Sequence, residues 1–165
     1  PYLASRSELN AVFERCANWR MDGVIAVGLK QDALESIAQE MQNHPLPVVY
    51  VETSLQQNTE MFIGNDDRSG LCEAVQHLKD LGHRNIVHFG GSPVSPLTDK
   101  RTAIFLEVLR DLGLPVAPES ARATDWEDAA IIEAATDEVL DSPSPPTAIV
   151  CGADAIAMTV IRRAR

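Results

Sequence analysis

No stretch of this chain approaches the roughly 18 consecutive apolar residues that a membrane-spanning helix needs, and PYLASRSELN has no basic segment leading into an apolar one, so it does not read as a signal peptide. Cysteine is scarce. Cys16, Cys72 and Cys151 stand 56 and 79 positions apart, which fits no C-x-x-C metal pair and leaves an odd thiol if two pair. Each is expected to be reduced and to sit among apolar neighbours in a helix or strand as a small hydrophobe. Histidine is also sparse, and His44, His77, His83 and His88 show no H-E-x-x-H pair or other ligand spacing, so no metal is expected. His77 reads as a helix-face residue, His83 as a residue just past a cap, and His88 as a mid-strand residue with a hydrogen-bond partner in the core or across an interface.

Positive charge is short as well: 14 basic residues face 24 acidic ones, for a formal net charge of −10. Phosphate backbones repel such a chain unless its basic groups cluster. The densest group, Arg162, Arg163 and Arg165, reads as a solvated helix end, so this chain alone is not expected to grip nucleic acid. A G-x-S-x-G elbow is missing, because Ser92 follows Gly91 but precedes Pro93. The lysine of a P-loop and the G-x-G-x-x-G of a dinucleotide site are missing too, and no cofactor is expected.

What is present is an ordinary globular composition over 165 residues, 45% hydrophobic and 23% charged, enough for one domain or two small lobes. Four short apolar runs, GVIAVG (23–28), PVVYVE (47–52), NIVHFGG (85–91) and TAIVCG (147–152), read as buried strands. Between them, apolar residues recur at helical spacing: from Leu9 to Ala17 with Ser7 as cap, from Leu34 to Met41, from Leu71 to Leu81, from Ile104 to Leu112, and from Ile156 to Ala164. Residues 127–140 read as a helix with a less regular face. Alternating strands and helices, with strands apolar along their length, predict an α/β fold with parallel sheets covered on both sides.

Within LGHRNIVHFGGS (81–92), Leu81 ends a helix, Gly82 takes the left-handed position after it, and Gly90 and Gly91 open a strand-to-helix loop. Prolines at 92–97, 114–120 and 141–147 mark turns. A lobe boundary is expected near MFIGNDDRSG (61–70), giving parts of two lobes over residues 1–64 and 65–165.

In a parallel sheet, loops at the carboxyl ends of the strands converge on one crevice. Asn65 and Asp66, the SPVSPLTDKR loop with Ser95 and Arg101, Trp126 of TDW, and Asp154 after IVCGA fall at such ends. An arginine, carboxylates and an indole suit a sugar-like or heterocyclic ligand. A second reading stays open, in which Asp154 caps the last helix, Arg101 is a first-turn surface residue and Trp126 fills the core.

In order and spacing, IGNDDRSGLCEAVQHLKDLGHRNIVHFGGS, DKRTAIF, TDW and PPTAIVCGADAIAMTVI resemble the effector-binding core of lactose- and purine-repressor-type (LacI/GalR) transcription regulators. DGVIAVG and PVVYVE fit the earlier strands. The resemblance implies a two-lobed fold like that of periplasmic sugar-binding proteins, with a small-molecule effector of sugar or nucleobase class between the lobes. It also implies a cytoplasmic homodimer that binds operator DNA through a headpiece outside this sequence, and no catalysis. Arg101 stands where the family's R-x-x-G-F arginine meets effector, Trp126 where an aromatic packs on it, Asp154 at the aspartate of a strand-end N-D or G-D pair, and Asn65 and Asp66 on the D-N at the lobe crossing.

Three departures bear on which effector is bound: Ile104 replaces the motif glycine, Ala153 replaces an asparagine, and Asn65-Asp66 reverses D-N. By the same resemblance the chain is expected to lack the first βα unit and the family's C-terminal segments. An exported sugar-binding protein of transport or chemotaxis shares the lobes, and an α/β enzyme would need turnover that depends on Asp66 or Asp154.

Overall fold

The computed structural model describes residues 11–12, 14–16, 18–27, 46–52, 61–92, 96–126 and 128–165, with residues 96–99 as backbone only. The chain divides into two compact units, Pro1–Asn65 and Asp66–Arg165.

In the first unit, residues 11, 12, 14–16 and 18 are helical, as the spacing from Leu9 predicts. The Ser7 cap and the predicted helix from Leu34 to Met41 lie outside the described residues. Strands β1 (Val24–Val27), β2 (Val48–Val51) and β3 (Phe62–Ile63) form a parallel sheet in the order β1-β2-β3. Val24 stands opposite Val48, and Val51 opposite Ile63. Burial alternates here: Ala26, Val48 and Tyr50 are buried while Ile25 and Val27 are exposed, so β1 is not buried along its whole length as its apolar run predicts.

The second unit holds the larger core. Strands β4 (Ile86–Gly90), β5 (Ala121–Ala123) and β6 (Ala148–Cys151) are all parallel in the order β5-β4-β6. Central strand β4 is buried at all five positions, as an apolar strand covered on both faces must be. Among the described residues four helices flank the sheet: α1 (Asp67–Asp80), α2 (Pro96–Asp111), α3 (Ala129–Leu140) and α4 (Asp154–Arg163).

Side chains alternate across a strand, so Ile86 joins Val75 of α1 and Phe105, Val108 and Leu109 of α2 on one face. Val87 and Phe89 join Ile132 and Val139 of α3 and Ile156 and Val160 of α4 on the other. Each such side chain removed from water contributes about 1.5–3 kcal/mol against the entropy of ordering the chain. His88 takes the first face, one strand step below the carboxyl edge.

Local chemistry sets the helix ends. Asp66 caps α1, its carboxylate accepting from the Ser69 N–H at 3.0 Å and the Ser69 hydroxyl at 2.7 Å. Gly82, at φ 95°, turns the chain out of α1 as its sequence position predicts, and the His83 N–H closes the turn on the Leu78 carbonyl at 3.0 Å. The three arginines at the end of the chain are exposed.

Candidate functional site

The carboxyl ends of β4, β6 and β5 meet along one edge of the second sheet. The Gly152 N–H, just past β6, donates to the Phe89 carbonyl of β4 at 2.8 Å. On the other side of β4, the Thr124 N–H donates to the Gly90 carbonyl at 3.2 Å, and the Thr124 hydroxyl donates to that same carbonyl. Thr124 is buried, so these bonds fix the start of the loop that carries Asp125 and Trp126. Glycine at 90 and 152 lets the strand ends come close: a Cβ on Gly152 would meet the Phe89 carbonyl oxygen at 3.4 Å and Gly90 Cα at 3.7 Å.

Arg101 joins this edge from α2. Its Nε donates to Asp67 Oδ1 at 2.8 Å and its Nη1 donates to the Gly152 carbonyl at 3.4 Å. The side chains are 27% and 10% exposed, so the pair is well shielded but not sealed. Lys100 Nζ approaches the other Asp67 oxygen at 3.7 Å. Three elements that are remote in sequence, the start of α1, the second turn of α2 and the end of β6, are thereby tied together by one guanidinium.

The sequence placed Arg101 in a loop, and the structure corrects this. Helix α2 begins at Pro96, where the missing N–H of proline is tolerated, so the helix takes in most of the stretch that reads as a turn. Arg101 is consequently neither a loop residue nor a free surface side chain. Asp154 is the first residue of α4, exposed, and Ala153 rather than Asp154 occupies the cap position. Trp126 lies in the loop after β5 and is 38% exposed, so it is not core filler. Asp66 spends both carboxylate oxygens on Ser69, and those hydrogen bonds hold its carboxyl below the usual aspartate range. Asn65 belongs to the first unit, where its N–H donates to Glu52 Oε1 at 2.8 Å. Ser95 lies outside the described residues.

Sequence reasoning missed Asp67, the carboxylate that meets Arg101, because DDRSG offers two adjacent acids and only the cap geometry separates their roles. It also missed Glu52, a non-glycine residue at φ 50° directly after β2, a backbone conformation that side chains rarely adopt.

His88 has the hydrogen-bond partner expected of it: Nδ1 lies 2.9 Å from the Val150 carbonyl. Its ring stacks on Phe105 with centroids 5.1 Å apart. Because a carbonyl only accepts, Nδ1 carries the proton and Nε2 is left with a lone pair. Nε2 is buried and has no hydrogen-bond partner among the described residues. Burial pushes the His88 pKa down, and the Arg101 charge adds to the effect, so the ring is neutral at physiological pH.

Of the cysteines, Cys16 is buried, and burial pushes the Cys151 thiol up to about 11. Cys72 on α1 is exposed, contrary to the expectation of an apolar setting. All three are free thiols. Among the described residues no cluster of histidine, cysteine or carboxylates is arranged to hold a metal ion. No described helix is long and apolar enough to cross a membrane.

A hollow of about 730 Å³ lies at the opposite, amino edge of the same sheet, beside Asn85, Ser120 and Arg122. Much of its polar rim is already bonded to this chain: Asn85 Nδ2 donates to the Ser144 and Pro145 carbonyls, and Arg122 Nη2 meets Glu138 at 3.1 Å. We therefore place the candidate site at the carboxyl edge, where Arg101 and Lys100 of α2 meet Asp67 of α1 and the Gly152 carbonyl, and where the chain segments bearing Trp126 and Asp154 leave β5 and β6, rather than in this hollow.

Comparison with known proteins identifies the family. The family model for periplasmic binding proteins and the sugar-binding domain of the LacI family matches residues 3–165. Catabolite control protein A of Priestia megaterium is 29% identical over 147 residues, covering 88% of this chain and 43% of that protein. The repressor CytR of Escherichia coli K12 is 27% identical over 146 residues, covering 88% of this chain and 42% of that protein. The chain thus spans less than half the length of these curated relatives. Among solved structures, a LacI transcriptional regulator from a Rhodococcus species superposes with a TM-score of 0.76 at 27% identity, over 99% of this chain and 57% of that one. A LacI-family regulatory protein from Chloroflexus aggregans shares the fold with a TM-score of 0.82 at 21% identity, over 100% of this chain and 58% of that one.

Proposed function

This chain belongs to the family of periplasmic binding proteins and LacI-family sugar-binding domains, and on that premise we propose that it is the effector-binding and dimerisation core of a transcriptional regulator. The effector is a small molecule of sugar or nucleobase class, held by Arg101, Trp126 and Asp154, with Asp67 orienting the arginine. Asn65, Asp66 and Ser95 complete the proposed set. The observation that carries this reading is the tie from Arg101 to Asp67 and to the Gly152 carbonyl, at the edge where Asp154 and Trp126 also sit.

Such an arrangement binds but has no chemistry to perform: a guanidinium and carboxylates give charge-assisted hydrogen bonds to hydroxyls or ring nitrogens, and an indole stacks on a flat or apolar face. A ligand that favours one arrangement of the effector-binding core shifts the population, and a coupled DNA headpiece reads the shift as altered operator affinity. The proposed setting is a cytoplasmic homodimer whose DNA contacts lie in a headpiece outside this chain.

An exported sugar-binding protein is the competing reading. The names of the curated relatives, repressors such as CytR, favour the regulator. Fluorescence anisotropy of a labelled promoter fragment with the intact protein, with and without sugars and nucleosides, separates the two. A saturable, ligand-dependent change in DNA affinity supports the regulator, whereas ligand binding with no DNA binding favours transport. Light scattering of the intact protein tests the dimer, and a monomer alone counts against it.

A further inference from the structure

The face of α2 that carries Arg101 also carries Phe105 one turn later, and the His88 ring lies flat on Phe105. Its Cε1 edge points toward the strand end, since a Cβ on Gly152 would lie 3.5 Å from that atom. Nε2, like Nδ1, is bonded to Cε1, which approaches Gly152, the residue whose carbonyl receives Arg101. His88 is 1% exposed, its Nδ1–H is committed to Val150, and Nε2 is a buried acceptor with nothing among the described residues to accept from. Buried polar atoms are nearly always satisfied in folded proteins, and an exception beneath a binding edge points to a partner that arrives with the ligand.

We propose that His88 is a specificity-determining residue of this site: its Nε2 accepts a hydrogen bond from a hydroxyl or ring N–H of the bound effector, directly or through one water that the effector brings. The inference rests on the effector-binding reading of the carboxyl edge. It adds a chemical requirement to that reading, because a neutral imidazole locked with its proton on Nδ1 can only accept at Nε2. A ligand with a donor at that point is favoured, and one with a bare ether oxygen or a methylene is not. Neighbouring strand residues Ala121 and Val150 offer no competing donor from their side chains, and Arg101 is directed to Asp67 and Gly152.

The test uses nitrogen-15 histidine NMR and calorimetry on the intact protein. In the free protein the His88 Nε2 resonance is expected at the position of an unprotonated nitrogen without a hydrogen bond; a protonated Nε2 at neutral pH overturns the proposal whatever ligands bind. The probes are ribose, glucose, adenosine and guanosine, each with its monodeoxy analogues.

For the probe that binds, one analogue is expected to bind about tenfold more weakly, the loss of one hydrogen bond to a site built to receive it. Its parent compound, but not that analogue, is expected to move the Nε2 resonance. His88→Phe keeps the ring on Phe105 and is expected to bring the two affinities together; His88→Asn, which keeps an acceptor, is expected to restore part of the difference. Equal losses for both compounds in His88→Phe indicate a structural role and overturn the proposal. If no probe binds the parent protein at all, the effector reading fails, and the NMR of the free protein still judges the histidine.

Discussion

Arg101 of α2 and Asp67 of α1 meet at 2.8 Å, 34 residues apart in sequence, and the same guanidinium reaches the Gly152 carbonyl beyond β6. This makes Asp67 the residue that aims the arginine. Nε is spent on Asp67, and Nη1 is directed to the Gly152 carbonyl at the sheet edge.

Asp67→Ala is expected to lower stability by about 1–3 kcal/mol, the range for losing a well-shielded hydrogen bond to a charged group, and to weaken effector binding about tenfold by releasing the arginine rotamers. Urea unfolding and calorimetry on the same preparation check both. A loss of stability with unchanged affinity removes Asp67 from the site.

Much of this geometry was legible in the sequence, and the illegible parts have definite causes. NIVHFGG announces β4 because a central strand buried on both faces is largely apolar, with His88 the one ionisable side chain in it. Edge strands need not be: β5 is Ala-Arg-Ala and β3 is two residues long, and neither carries a pattern that a reading of periodicity detects. The sequence points Arg101 to the carboxyl edge of the sheet but reads it in a loop, because prolines at 93 and 96 read as turns and Pro96 instead opens a helix. Asp67 is not legible in the sequence because adjacent carboxylates look alike until one of them is seen to cap a helix.

The pH dependence of stability follows from His88. Its pKa is lowered in the folded state, so as pH falls the unfolded chain takes up the proton first, and folding loses stability from about pH 6.5 downward. His88→Phe is expected to flatten the slope between about pH 7 and pH 5, before the carboxylates titrate. Unfolding midpoints at several pH values measure it, and an unchanged slope in the variant assigns the dependence to another group.

Asp66 has the opposite sign. Hydrogen bonds from Ser69 depress its folded pKa, so its contribution is present above the ordinary aspartate value and fades as pH falls through the lowered one. Asp66→Ala is expected to fray the start of α1 at neutral pH and to matter little in strong acid, while Asp66→Asn, which also caps, retains most of the stability. Amide exchange at Arg68 and Ser69 reports the fraying directly.

Trp126, 38% exposed beside the proposed site, is expected to change its emission when effector binds. The sequence contains one other tryptophan, Trp19, so Trp126→Phe should abolish the change and Trp19→Phe should leave it. Retention of the signal in Trp126→Phe moves the ligand away from the β5 loop.

The central claim, that the carboxyl edge around Arg101 is an effector site, is tested most directly by titrating the intact protein and its Arg101→Ala variant calorimetrically with sugars and nucleosides. Saturable binding of at least one of these by the parent is expected, with a loss of about 100-fold or more in the variant, the usual consequence of truncating one partner of a shielded charge contact. Equal affinity in a variant that remains folded would contradict it.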